Sequence, residues 1–190
     1  EKLDKNFGRG RIYRLVYEDD KPGPRPQMLQ ESSEELVKHL AHPNGWWRST
    51  AQKLILIRGD KSVVGELKKI AMNDYSWIER IFSSDKNESS AVSRVHVLWT
   101  LKGLEALDKD VLFRALKDED PQVRKTAVWL SEDYLKANDE EVLEALQALK
   151  GDASGDVRVQ LVLSLRYSKS REARSLIQEI KERHTDNTLL

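Results

Sequence analysis

The sequence predicts an all-α fold, a right-handed solenoid of about four helix pairs and a closing helix, with one short strand in front. Three observations predict it. Apolar residues recur at helical spacing from Ser32 to Arg183, punctuated by capping and helix-breaking residues. The second helix of each pair repeats one local pattern: Trp47-Arg48-Ser49-Thr50-Ala51, Ser93-Arg94-Val95-His96-Val97, Val123-Arg124-Lys125-Thr126-Ala127 and Val157-Arg158-Val159-Gln160-Leu161. The arginines Arg94, Arg124 and Arg158 recur after 30 and then 34 residues, the period of stacked helical repeats.

The elements follow in order. Arg11 to Glu18 alternates, with Tyr13, Leu15 and Tyr17 on one face, and reads as a strand. Nothing later reads as its partner, so residues 1–18 are expected to be the remnant of an upstream domain. The start at Glu1, without an initiator Met, agrees with a piece of a larger protein. Residues 19–31 contain Pro22, Pro24 and Pro26 in alternation, which forbids a helix and marks a semi-rigid linker. The helical module is placed at 32–184. Ser32 and Glu35 form a capping box for the first helix, which His42-Pro43-Asn44-Gly45 ends. Trp46 to Ile57 is its pair and stops at Gly59. Val63 to Met72 pairs with Ala91 to Leu104, Asp110 to Leu116 with Val123 to Leu135, and Glu141 to Leu149 with Val157 to Tyr167. Glu172 to Arg183 closes the array, and residues 185–190 are a polar tail. The step from Arg48 to Arg94 is longer, 46 residues, which places an insertion bearing Trp77, Ile78, Ile81 and Phe82 between Asn73 and Ser90.

Composition narrows the function. Lys plus Arg total 32 and so do Asp plus Glu, so the chain lacks the positive balance that phosphate neutralisation requires. The absence of cysteine removes disulfides, thiol nucleophiles, cysteine-ligated zinc and c-type haem attachment. No apolar run has the length of a transmembrane helix.

The run Leu116-Lys117-Asp118-Glu119-Asp120-Pro121-Gln122-Val123-Arg124-Lys125-Thr126-Ala127 resembles the HEAT-repeat signature, and Gly155-Asp156-Val157-Arg158 resembles a second copy. The stretches His42 to Gln52 and Arg94 to Leu101, with Gly10-Arg11-Ile12-Tyr13-Arg14, are similar to membrane-bound dehydrogenases of the planctomycete and Bacteroidetes type. Those proteins join a sorbosone-dehydrogenase-like β-propeller to HEAT repeats, often with a cytochrome c domain. The resemblance covers nearly the whole chain. It implies that Arg11 to Glu18 is the last propeller strand, that the location is periplasmic or extracytoplasmic, and that the propeller or a redox domain is the protein partner. The quinone-cofactor site and the haem-binding Cys-x-x-Cys-His lie elsewhere on this reading, so no cofactor is expected in this chain.

No catalytic motif is found. Gly8-Arg9-Gly10 lacks the third glycine and the helix of a dinucleotide loop, and neither Gly-x-Ser-x-Gly nor His-Glu-x-x-His occurs. His39 and His42 are three apart but lack a third ligand at useful spacing. Asp118-Glu119-Asp120 and Asp139-Glu140-Glu141 precede helices, where carboxylates cap free amides. Arg48, Arg94, Arg124 and Arg158 read as inter-repeat hydrogen bonds to such turn carboxylates, with an anion-binding row as the sharper alternative. Trp99 and Trp129 fall five residues after the repeat Arg, as does Leu163, and His96 shares the side of Trp99. Inter-repeat packing is the plainer account of this stripe; a docking face for another domain is the functional one. The overall expectation is a non-catalytic scaffold. Its rival is a HEAT-like DNA-binding or DNA-repair protein, which has the aromatics but lacks the basic charge.

Overall fold

The computed structural model of the chain describes residue 23, residues 25–73 and residues 90–183. The strand read over Arg11 to Glu18, the insertion side chains Trp77, Ile78, Ile81 and Phe82, and the tail lie outside them. Among the described residues every regular element is helical and no strand is present.

The helices are α1 (Ser33–His39), α2 (Gly45–Arg58), α3 (Val64–Ala71), α4 (Ala91–Gly103), α5 (Lys109–Ala115), α6 (Pro121–Leu130), α7 (Glu132–Lys136), α8 (Glu140–Gln147), α9 (Gly155–Leu165) and α10 (Arg171–Arg183). A 3-10 turn, Lys61–Val63, leads into α3. Most starts have a capping side chain. Ser32 and Glu35 make the expected capping box on α1. Asn44, Ser90, Asp108, Asp120 and Asp139 each accept an amide of the first turn that follows. The ends use the left-handed conformation. Gly59 takes it after α2 at φ 61, and Asn73, Glu105 and Asn138 take it at φ 58, 56 and 55.

Two rows of helices result. α1 packs on α2, α3 on α4 and α5 on α6. The second helices also pack on one another in chain order, α2 on α4, α4 on α6 and α6 on α9. The first helices do likewise, α3 on α5 and α5 on α8. One core of buried apolar residues runs from Met28 to Ile180 between the rows. Gly103 marks the closest approach of α4 to α2: a Cβ there would lie 2.6 Å from Leu56 Cδ2.

Two details differ from the sequence reading. The helix read as Val123 to Leu135 is two helices, broken at the buried Ser131. The Ser131 hydroxyl donates to the Ala127 carbonyl at 2.8 Å, the back-bonding that competes with helix continuation. The linker read over 19–31 is anchored at its end. Met28 is buried, and Arg58 donates to the carbonyls of Glu31 (2.7 Å), Leu29 (3.2 Å) and Met28 (3.3 Å).

Glu105 holds a left-handed backbone with a side chain that makes this unfavourable by roughly 1–2 kcal/mol. Glycine relieves that strain but adds unfolded-state entropy worth about 0.5–1 kcal/mol. Glu105→Gly is therefore expected to raise stability by up to about 1 kcal/mol in urea unfolding, with the slope unchanged.

Candidate functional site

The repeat arginines brace their turns, and two of them, Arg94 and Arg124, tie one turn to the next. Arg124 Nη1 donates to the carbonyls of Asp118 (2.8 Å) and Glu119 (2.9 Å), in the turn before its own helix. Arg48 does the same to His42 (2.6 Å) and Pro43 (2.8 Å), and Arg158 to Asp152 and Ala153. The Arg124 guanidinium is thereby held against its turn with its other edge facing the following helix pair. Arg124 Nε and Nη2 grip the Asp152 carboxylate at 2.7 and 2.8 Å, the two-point fork that fits a carboxylate best. Arg94 Nη2 reaches Asp118 at 2.8 Å, and both side chains are buried, 3% and 7% exposed.

Each of these carboxylates also folds its own turn. Asp118 accepts the Asp120 amide and Asp152 the Ser154 amide, both at 2.8 Å. Burial opposes ionisation of Asp152, but the hydrogen bonds from Arg124 and the Ser154 amide outweigh it and hold the carboxyl below its ordinary value. Arg94 and Arg124 are thus engaged within the protein, which leaves little capacity for a row of external anions.

The aromatic stripe divides. Trp99 and Trp129 meet edge to face, with ring centroids 5.3 Å apart at 88°. Trp99 is half-buried against the core, whereas Trp129 is 50% exposed. Leu163 and Tyr167 continue the exposed apolar surface on α9 and the turn after it. Lys136 lies over the Tyr167 ring, 4.9 Å from its centroid. Charges flank this surface in pairs: Lys102 with Asp133, and Lys125 with Asp156 at 3.3 Å. His96 lies apart from it. Its Nδ1 is 2.7 Å from Gln52 Oε1, so it faces α2. Burial and the neighbouring Arg48 charge lower its pKa. Sequence reasoning missed Tyr167, nine residues after Arg158. Extending the stripe one further helical turn beyond Leu163 would have found it.

The remaining candidates have structural engagements. His39 Nε2 is 2.8 Å from Glu31 Oε2, and the His42 ring stacks on Trp47 at 4.7 Å while its Nδ1 accepts the Asn44 amide. Asp120 and Asp139 are helix caps, and Lys109 bridges Asp139 and Glu141 at 2.7 Å each. No group of three or more His, Cys, Asp or Glu among the described residues is placed to hold a metal ion. No helix among them is long and apolar enough to cross a membrane. The chain matches no protein-family model and no curated protein.

Removing one partner of a buried ion pair strands the other. Asp118→Ala is therefore expected to cost about 3–5 kcal/mol, and the double change Arg94→Met, Asp118→Leu to recover most of it. A double-mutant cycle by urea unfolding measures both. His96 gives a second test. Its folded pKa lies below the unfolded value, so its contribution is present above about pH 6.5 and is lost as pH falls toward the folded value. Stability is expected to decline from pH 7.5 to 5.5, and His96→Gln to lessen that decline.

Proposed function

We propose that this chain is a non-catalytic HEAT-type scaffold that positions another protein domain against the face of its second helices. The observation that carries this reading is the exposure of Trp129 on α6, Leu163 on α9 and Tyr167 in the turn after it. Exposed apolar side chains that lie together are the usual mark of a protein-binding surface. Trp129 adds a rigid aromatic body already oriented by Trp99. The HEAT assignment is supported by the signature around Asp118 to Ala127, by the chain-order packing of the second helices, and by the Arg-to-carboxylate links between turns.

The resemblance to membrane-bound dehydrogenases names the partner: a sorbosone-dehydrogenase-like propeller in an extracytoplasmic redox protein. The substrate chemistry and its cofactors then belong to the propeller and its redox domains, and this chain supplies geometry. The charge pattern of the face supports a protein partner over nucleic acid. Lys102 is paired with Asp133 of α7 and Lys125 with Asp156 of α9, whereas a phosphate-binding face needs free cations.

The test is binding of the chain to a separately produced propeller encoded in the same gene. Trp129→Ala, Leu163→Ala is expected to weaken association at least tenfold while shifting stability by only about 1 kcal/mol, since both positions are half-exposed. Unchanged association overturns the docking face. Salt-sensitive binding of a labelled duplex by the same surface instead favours the nucleic-acid reading.

A further inference from the structure

The turn between α1 and α2 holds the one Asn-Gly pair in the chain, Asn44-Gly45. Asn44 is exposed and caps α2, its Oδ1 accepting the Trp46 amide at 2.9 Å. Its own amide donates to His42 Nδ1 at 3.0 Å. Arg48 braces the turn from below through the carbonyls of His42 and Pro43. The guanidinium also lies beside Gly45, where a Cβ would be 3.3 Å from Arg48 Nη2. Arg94 and Arg124 each hold a buried carboxylate, but Arg48 makes no ion pair among the described residues.

An asparagine followed by glycine can close on itself, because glycine has no side chain to shield its nitrogen. The Gly45 amide loses its proton, and its nitrogen attacks the Asn44 Cγ. A carbon–nitrogen bond forms, the side-chain nitrogen leaves as ammonia, and a five-membered succinimide remains. Water then opens the ring. Attack at Cγ gives aspartate, and attack at the main-chain carbonyl gives isoaspartate; either way the amide has become a carboxylate. Closure needs the Gly45 nitrogen swung over to the side chain. In the folded cap Asn44 is extended at ψ 121, which turns that nitrogen away, and its Oδ1 is held by Trp46. The reaction therefore waits on opening of the first turn of α2, the kind of local fraying that helix ends undergo.

We propose that Asn44-Gly45 is a self-modification site of this protein, gated by opening of the α1–α2 turn, and that its aspartate product pairs with Arg48. The new carboxylate stands at the start of α2, where negative charge is favoured, and aspartate caps a helix as well as asparagine does. It also gives Arg48 the counter-charge that Arg94 and Arg124 already have. The isoaspartate product lengthens the main chain by one methylene between residues 44 and 45 and leaves the first turn of α2 uncapped. The site is remote in sequence from Trp129 and Leu163, and its fate leaves the scaffold reading untouched.

The test is peptide mapping by mass spectrometry after the full chain is held at mildly alkaline pH, folded or in urea. Amide-to-acid conversion is expected in the tryptic peptide from His39 to Arg48. It should run about tenfold or more slower in the folded chain than in urea, since closure waits on local opening. Arg48→Ala frees the turn carbonyls and is expected to speed conversion in the folded chain several-fold. Arg48→Gln replaces it should the alanine variant lose its helical spectrum. Gly45→Ala, whose methyl group meets only the flexible end of Arg48, is expected to suppress conversion. Asn44→Asp is expected to raise the urea midpoint at neutral pH, and the gain should vanish in the Arg48 variant. A folded chain that never converts while the unfolded one does overturns the proposal. So does a rate indifferent to Arg48. An Asn44→Asp midpoint that falls, or rises equally without Arg48, overturns the pairing.

Discussion

The turn carboxylate is the point on which the arrangement depends. A stack of helix pairs has a register problem: apolar faces can slide along one another at little cost, because hydrophobic contact has no direction. A carboxylate that caps its own turn and receives a cation from the preceding pair removes that freedom. Asp118 and Asp152 do this for the second helices, through Arg94 and Arg124. Asp108 and Asp139 do it for the first helices, where each N-cap also meets a lysine of the preceding helix, Lys68 and Lys109. Both rows are thereby indexed by the same device. The buried arginine links carry the energetic weight, since the lysine pairs are partly solvated and surface pairs contribute little.

This constraint explains the faces. With one edge of Arg124 held by its own turn and the other by Asp152 of the next, α6 is fixed in rotation. Residues three before and three after the arginine then fall on fixed sides. The residue three beyond it is Ala51, Val97, Ala127 or Leu161, and each is fully buried. The residue five beyond it points away from the core, as at Trp129 and Leu163. The exposure of Trp129 is thus a consequence of a rotation set elsewhere, by the Arg124 link to Asp152. A surface held in this way is ordered in advance, and pre-ordering lowers the cost of any binding.

Much of this was legible in the residues. The 3.6-residue periodicity, the Ser and Asp caps and the repeating Arg were enough to place the helices and their pairing, because each is a local signal. What escaped was set by distance contacts. The break at Ser131 depends on whether a hydroxyl bonds back to Ala127 or outward, and spacing alone cannot decide that. Met28 looked like linker because prolines precede it, yet a side chain 30 residues away, Arg58, ties its carbonyl down. His96 and Trp99 share a helix side at three-residue spacing, but only the packing of α2 against α4 shows that the imidazole is turned to Gln52 while the indole reaches Trp129.

The same rotational lock makes the two ends of the array chemically different. A repeat arginine in mid-array always finds a carboxylate in the next turn. Arg48 and Arg158, in the first and last of these second helices, make no such ion pair among the described residues and donate to carbonyls of their own turns. At the α10 end a polar amphipathic helix compensates by covering the core with Leu176 and Ile180. At the α2 end no helix among the described residues does so, and Trp46 is left exposed beside the incoming chain. The middle helix pairs are thus indexed by buried ion pairs, and the two ends of the described array are finished by different means.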